Sequence, residues 1–246
     1  MKSCILYLTS RSWHALERGR QRVHASGSID AGSKQPFAAL AQWLTSHATG
    51  KLRVDVLVSA AAVRFMTLPW SSAAGTGAGI RKRVLQAWER SGLDNSTHDI
   101  RIQWPRYGEP IVAVAYPTAW LRSLEAALAA AGVSVGAIGC SAVAIAGRYA
   151  VRMPSGPSLL VIEEDDALVG VHLRDGAITD FETLPPDGQG LDEVSVWLHR
   201  KQMDLPEAKQ MRWFLPSERQ PAQSMALLAC PDDGGGYGVA LLAAVA

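Results

Sequence analysis

The sequence predicts an α/β protein that uses one structural unit twice, with an α+β segment inserted into the first copy. Three observations lead there. Strand and helix patterns follow in the order β-β-β-α-β from Ile5 and again from Leu159, on either side of Met153-Pro154-Ser155-Gly156-Pro157. The run Val54-Asp55-Val56-Leu57-Val58 is nearly continuous in apolar residues, as befits a strand covered on both faces. Between that strand and the last strand of the first copy lies Ala60 to Gly132, with helix and hairpin patterns of its own. The boundaries expected are 1–152 for the first subdomain, with its insertion at about 60–132, and 153–246 for the second.

Taken in order, Ile5 to Leu8 reads as the first strand. Trp13 to Leu16 and Val23 to Ala25 form a hairpin around Glu17-Arg18-Gly19-Arg20, where Gly supplies the turn conformation. Pro36 opens a helix with Phe37, Leu40, Ala41 and Leu44 at helical spacing, and Gly50 closes it. The strand Val54 to Val58 follows, then the small residues Ser59 to Ala62. A second strand runs through Val63, Phe65 and Met66 and stops at Leu68-Pro69, because proline cannot donate to a ladder. A Gly-rich stretch leads into a helix carrying Ile80, Val84 and Trp88 on one face. Ile100 to Trp104 and Ile111 to Tyr116 make a hairpin around Tyr107-Gly108-Glu109-Pro110. Pro117 starts a helix bearing Trp120, Leu121, Leu124 and Leu128 that stops at Gly132. Val133 to Ile138 is a buried strand, and Ser141 to about Tyr149 a short helix.

The second copy reads Leu159 to Ile162, Ala167 to Leu173 and Ile178 to Thr183 as strands, with Arg174-Asp175-Gly176 as a hairpin turn. Pro185-Pro186-Asp187-Gly188 breaks the chain before a helix with Leu191, Val194, Trp197 and Leu198. Asp192 and Glu193 fall in its first turn and His199, Arg200 and Lys201 in its last, which complements the helix dipole. Met211 to Leu215 and Met225 to Ala229 are further strands, and Tyr237 to Val245 a terminal helix.

Composition narrows the function classes. The 246 residues are 48% hydrophobic and 19% charged, with a net charge of +1, the profile of a globular protein rather than a disordered one. That balance favours neither nucleic acid nor an anionic membrane as partner, and Arg18-Arg20-Arg22 and Arg81-Lys82-Arg83 read as solvated faces. Cys4, Cys140 and Cys230 are far apart and odd in number, so neither a disulfide framework nor a zinc site is expected, and a reducing cytoplasm is. No run approaches the ~18 apolar residues of a membrane span. No Ser/His/Asp or Cys/His constellation presents itself, and His14 and His172 sit in hairpin strands as ordinary half-buried residues.

A duplicated β-β-β-α-β unit is the layout of the ribonuclease H-like fold used in tandem, as in the actin-like ATPases. Within that superfamily Val56-Leu57-Val58-Ser59-Ala60-Ala61-Ala62-Val63-Arg64-Phe65-Met66-Thr67-Leu68-Pro69 resembles the segment of PilM-type and GspL-type proteins where two strands flank small residues and end in Leu-Pro. The following helix, the hairpin, the helix closed by Ala130-Ala131-Gly132 and the terminal Gly238 to Ala243 are similar too, so the resemblance spans nearly the whole chain. It implies a cytoplasmic actin-like component of a type IV pilus or type II secretion machine, peripheral to the inner membrane through a partner. The partner implied is the short cytoplasmic tail of a PilN-like or GspM-like single-pass protein, and GspL-like domains also contact an assembly ATPase. The missing membrane span fits the PilM arrangement better. The chain is short in its second half, which leaves little room for a second insertion or a closed nucleotide cleft.

The same resemblance frames what is missing. Actin-like ATPases carry an Asp and glycines on the first hairpin of each half, for a metal-bound water and for phosphate. Leu8-Thr9-Ser10-Arg11-Ser12-Trp13 has neither. Glu163-Glu164-Asp165-Asp166 in the second hairpin is acidic without glycine and reads as a solvated turn. A pseudo-ATPase without catalytic residues, metal or cofactor is therefore expected, with bound ATP and magnesium the less favoured case. A small nucleotide-dependent kinase of the same superfamily is the alternative, against which the missing Asp-x-Gly loop counts. Gly75-Thr76-Gly77-Ala78-Gly79 matches no phosphate-loop spacing and reads as a linker. By the same resemblance Gly234, Gly235 and Gly236 are the candidates for approach to an adenine, against the plainer reading of a bare loop. In PilM-like proteins the partner's peptide lies between the first subdomain and its insertion. That placement points to Arg64, Arg101 and Arg106 as ion-pair partners of an acidic tail, with Trp70, Trp104 and Tyr107 as aromatic anchors.

Overall fold

The computed structural model describes residues 2–18, 23–47, 52–72, 75–184, 196–197, 200–201, 203, 211–214 and 226–227. The first subdomain is a five-stranded sheet of β1 (Lys2–Leu8), β2 (Ser12–Arg18), β3 (Val23–Ser28), β4 (Leu52–Val58) and β8 (Ser134–Cys140), in the order β3-β2-β1-β4-β8. β1 pairs antiparallel with β2, and β2 with β3, while β1, β4 and β8 run parallel. The second sheet repeats that order as β11-β10-β9-β12-β13, from β9 (Pro157–Glu163), β10 (Leu168–Arg174), β11 (Ala177–Leu184), β12 (Met211–Phe214) and β13 (Ala226–Leu227). Identical strand order and identical polarity in two sheets establish tandem ribonuclease H-like subdomains, the architecture expected from the repeat.

Local chemistry accounts for the elements. β4 alternates, with Leu52, Val54, Val56 and Val58 buried, Arg53 exposed and Asp55 and Leu57 half-buried, so it is fully covered on one face rather than on both as expected. The β10–β11 turn places Asp175 and Gly176 at φ 52° and 82°, the two positive values a tight primed turn requires. α1 (Ala38–His47) buries Leu40 and Leu44 against the first sheet. α4 (Ser141–Tyr149) buries Ala142, Ile145, Ala146 and Tyr149, and contacts both β4 and β10. One apolar core thus runs from Leu6 and Val56 through α4 to Leu160, Val169 and Val171 of the second sheet.

A third, three-stranded sheet has the order β5-β7-β6, from β5 (Arg64–Leu68), β6 (His98–Gln103) and β7 (Ile111–Pro117), all antiparallel. α2 (Gly77–Arg90), capped by the Thr76 hydroxyl on the Gly79 amide, lays Ile80, Val84 and Trp88 on it. The separate layer is narrower than 60–132. α3 (Thr118–Ala130) stacks on α1, and Leu121, Leu124 and Leu128 enter the main core rather than the core beneath α2. Gly132, at φ 70°, then turns the chain into β8.

Several expected features lie outside the described residues: Gly19 in the first turn, Pro185 to Gly188, Leu191, Val194 and Leu198, Cys230, Gly234 to Gly236, and the helix from Tyr237. Among the described residues no helix is long and apolar enough to cross a membrane.

Candidate functional site

Ligands of open α/β sheets gather at the carboxyl ends of parallel strands. Here those ends meet across the two subdomains, and the chain fills the space itself. Thr9 follows β1, Ser59 follows β4, Ser141 follows β8, and Glu164 follows β9. All four are buried, at 1%, 0%, 0% and 3% exposure, and of the described polar residues only Ser158 is equally enclosed.

Asp166, at the end of the β9–β10 loop, accepts from the Ser10 amide at 3.0 Å and from Ser10 Oγ at 3.3 Å. It also accepts from Ser59 Oγ. Glu164 accepts from the Ala60 amide at 2.8 Å and shares a hydrogen bond with Ser141 Oγ, at the start of α4, where the helix dipole favours an acid. The Ser141 hydroxyl also reaches the Val58 carbonyl at 3.1 Å. Beside this pair, His14 of β2 meets Asp165 at 3.1 Å. The first-hairpin loop is held by its own hydroxyl: Thr9 Oγ1 accepts from the Arg11 and Ser12 amides at 3.1 and 2.8 Å. The acidic run is thus no solvated turn. Asp165 is exposed, but Glu164 is enclosed and Asp166 half-buried, because Ser59, Ala60 and Ser141 supply donors.

Burial sets the protonation states. Desolvation pushes the Glu164 carboxyl up to about 7, against the opposing pull of Ser141, Ser59 and Ala60, with Asp166 adding to the rise. Tyr7, beneath the same junction, is raised by burial and then by Glu164, Asp166 and Asp165. Cys140 is pushed up to about 12 by burial and by Glu164, so its thiol is inert in the closed junction. Among the described residues no group of His, Cys, Asp and Glu is arranged to hold a metal.

The six candidate partner residues fall in three places. Arg101 on β6 faces the first subdomain: it donates to Asp99 at 2.9 Å and to the Ile138 carbonyl of β8 at 3.3 Å, and lies over the Tyr116 ring at 5.4 Å. Arg64 does not join it. Arg64 pairs with Ala115, which pairs with Ile100, while Arg101 pairs with Val114 and thence Phe65, so the two arginines are on opposite faces of the sheet. Trp70 and Tyr107 meet at the tip of the insertion, ring centroids 5.3 Å apart. Trp104 lies on Gly77 and is 62% exposed, and Tyr107 is 87% exposed. The Arg106 amide donates to Glu109, and its side chain is exposed. A groove of about 90 Å³ runs from Gln103 and Trp104 past Val112 to Ala146 and Ala177, and another of about 210 Å³ lies by Pro157, His172, Arg174 and Lys201. Both are below the ~300 Å³ of the smaller ligand pockets, and neither is lined by the carboxylate junction.

Sequence reasoning missed Ser59, Ser141, Glu164 and Asp166 as a set. A signal was present: Val58-Ser59-Ala60 and Cys140-Ser141-Ala142 are the same strand-Ser-Ala ending, used twice.

No protein-family model matches this chain, and no curated protein does. Solved structures do match in fold. The PilM–PilN type IV pilus biogenesis complex is similar with a TM-score of 0.66 at 15% identity, over 99% of this chain and 98% of that one. The cytoplasmic domain of EpsL, an inner membrane component of the type II secretion system of Vibrio cholerae, has a TM-score of 0.63 at 15% identity, over 98% and 93%. A Bacteroides thetaiotaomicron protein with an actin-like ATPase fold and unknown function has a TM-score of 0.61 at 8% identity, over 99% and 95%. The chain therefore has the actin-like ATPase fold.

Proposed function

We propose that this chain is a non-catalytic actin-like scaffold of a type IV pilus or type II secretion platform. It binds the cytoplasmic tail of a PilN-like or GspM-like single-pass inner-membrane protein and sits at the membrane through that partner. The observation that carries the reading is end-to-end similarity to both the PilM–PilN complex and the EpsL cytoplasmic domain, with nearly full coverage on each side. The carboxylate junction supports the absence of catalysis, since Glu164 and Asp166 already hold the donors at the strand ends. The resemblance to GspL-type domains adds an assembly ATPase as second partner.

The tail's proposed place is the β8 edge, to which Arg101 of β6 reaches through the Ile138 carbonyl. β8, expected to be a buried strand, is a sheet edge whose uncharged Ser134, Val135, Gly136 and Ala137 are exposed, with the Arg53–Asp55 ion pair of β4 lying over Gly136. An extended tail adds main-chain hydrogen bonds to such an edge, while apolar side chains seek the aromatic tip. Trp104 and Tyr107 supply the anchors and Arg101 and Arg106 the charge, whereas Arg64, on the other face, takes no part. Replacing a true anchor by alanine costs ~2 kcal/mol or more of binding, about thirtyfold in affinity. The test is calorimetric titration of the neighbour-encoded tail into wild type, Trp104→Ala and Arg101→Ala. Weakened binding by both variants is expected, and equal binding by all three with the fold intact removes this surface.

A further inference from the structure

Hydrogen-bond donors from three strand ends of the first subdomain converge on two carboxyl groups of the second: the Ser10 amide and hydroxyl after β1, Ser59 Oγ and the Ala60 amide after β4, and Ser141 Oγ after β8. Convergent backbone amides and hydroxyls of this kind make an anion seat. We propose that Glu164 and Asp166 are a built-in latch: internal carboxyl groups that occupy this seat in place of an external anion and clamp the strand-end side of the two subdomains shut. The proposal is independent of the partner reading above.

Two features support it beyond the contacts themselves. The contacts are long-range, 107 residues apart for Ser59–Asp166 and 104 for Ala60–Glu164, so they join subdomains rather than stiffen a loop. And the donors are well divided. Asp166 takes Ser10 and the Ser59 hydroxyl, Glu164 takes the Ala60 amide and the Ser141 hydroxyl, and together they cover all three parallel strand ends. Glu164 serves in either protonation state, because as an acid it donates to Ser141 Oγ and frees the Ser141 proton for the Val58 carbonyl. The charged and titratable groups facing it are Asp166 from its own loop, Tyr7 from β1 and Cys140 from β8.

The test compares wild type with Asp166→Ala, Glu164→Ala and the double variant in the full chain, by amide hydrogen exchange and by site-resolved alkylation. Exchange at the Ser10 and Ala60 amides should quicken about tenfold or more when their charge-assisted acceptors are removed. The Ser59 amide, bonded to the Leu8 carbonyl at 2.8 Å within the first subdomain, should keep its rate. Opening should also expose Cys140, at 3% exposure now, to iodoacetamide, and leave Cys4 in the middle of β1 unreactive. If the double variant does not fold, Asp166→Ala alone carries the test through Ser10 against Ser59, since Asp166 is only half-buried. Wild-type rates at Ser10 and Ala60 with unchanged Cys140 alkylation in a folded variant overturn the latch. So does quickening that spreads equally to Ser59, which marks local unfolding.

Discussion

Glu164→Gln replaces a buried carboxyl by a neutral group of the same shape, and its effect depends on pH in a way the junction determines. The amide oxygen accepts from Ala60, and the amide hydrogens donate to Ser141 Oγ, as the protonated acid does. In the folded chain the carboxyl is raised from the ordinary 4.5 to about 7, chiefly by desolvation. A raised carboxyl means the native state binds more protons than the unfolded one between those values. Wild-type stability from this group is therefore full below pH 4.5, falls as pH rises to about 7, and is level above. At about 1.4 kcal/mol per pH unit the loss amounts to roughly 3 kcal/mol, and the group is too enclosed for solvent to screen it. The glutamine variant carries no such loss. Urea denaturation followed by tryptophan fluorescence, at pH values from 4.5 to 8, measures the difference between the two proteins. Other titrating groups, including Glu182, which Lys201, Trp197 and His172 hold low against its own desolvation, are common to both and cancel. Near pH 4.5 the proteins should be equally stable, and at pH 8 the variant should lead by up to about 3 kcal/mol. Parallel curves across that range, or a wild type that gains on the variant as pH rises, refute the burial argument.

Trp88→Ala removes the largest buried side chain of the insertion's core, where it packs with Ile80, Val84 and Ile100, and should cost about 3–5 kcal/mol in a denaturant titration. A loss under about 1 kcal/mol would mean the layer beneath α2 is loosely packed. Gly170→Ala sets a Cβ at 2.8 Å from the Trp197 ring and 3.3 Å from Leu159, so overpacking should destabilise by about 1–3 kcal/mol. A neutral result would place Trp197 elsewhere than on β10.

The architecture was legible because its signals are local. Val54 to Val58, the stop at Pro69, the Asp175-Gly176 turn and the Gly132 helix end each have a chemistry that needs no tertiary context, and their order carried the repeat. The extent of the insertion was not legible. Leu121, Leu124 and Leu128 make the same apolar stripe whether α3 covers the insertion or lies beside α1, and only the packing decides. Arg64 and Arg101 looked like one set because their strands belong to one small sheet; β7 lies between those strands, and the antiparallel register, invisible in the sequence, turns the two side chains to opposite faces. The acidic run misled for a related reason. Four successive acids belong in water unless donors wait for them, and Ser59, Ala60 and Ser141 lie about a hundred residues and about twenty away in sequence. Each is small and unremarkable alone, and only the doubled strand-Ser-Ala ending hinted at their common task.

The central claim is that this actin-like fold binds rather than hydrolyses, its strand-end seat being filled by Glu164 and Asp166. Phosphate release from ATP with Mg²⁺ tests it most directly, with wild type and Asp165→Ala side by side. Asp165 is the exposed acid of the loop, outside the latch and hydrogen-bonded to His14 of β2. The account predicts release no faster than buffer for both proteins. Turnover by wild type that Asp165→Ala abolishes would contradict it.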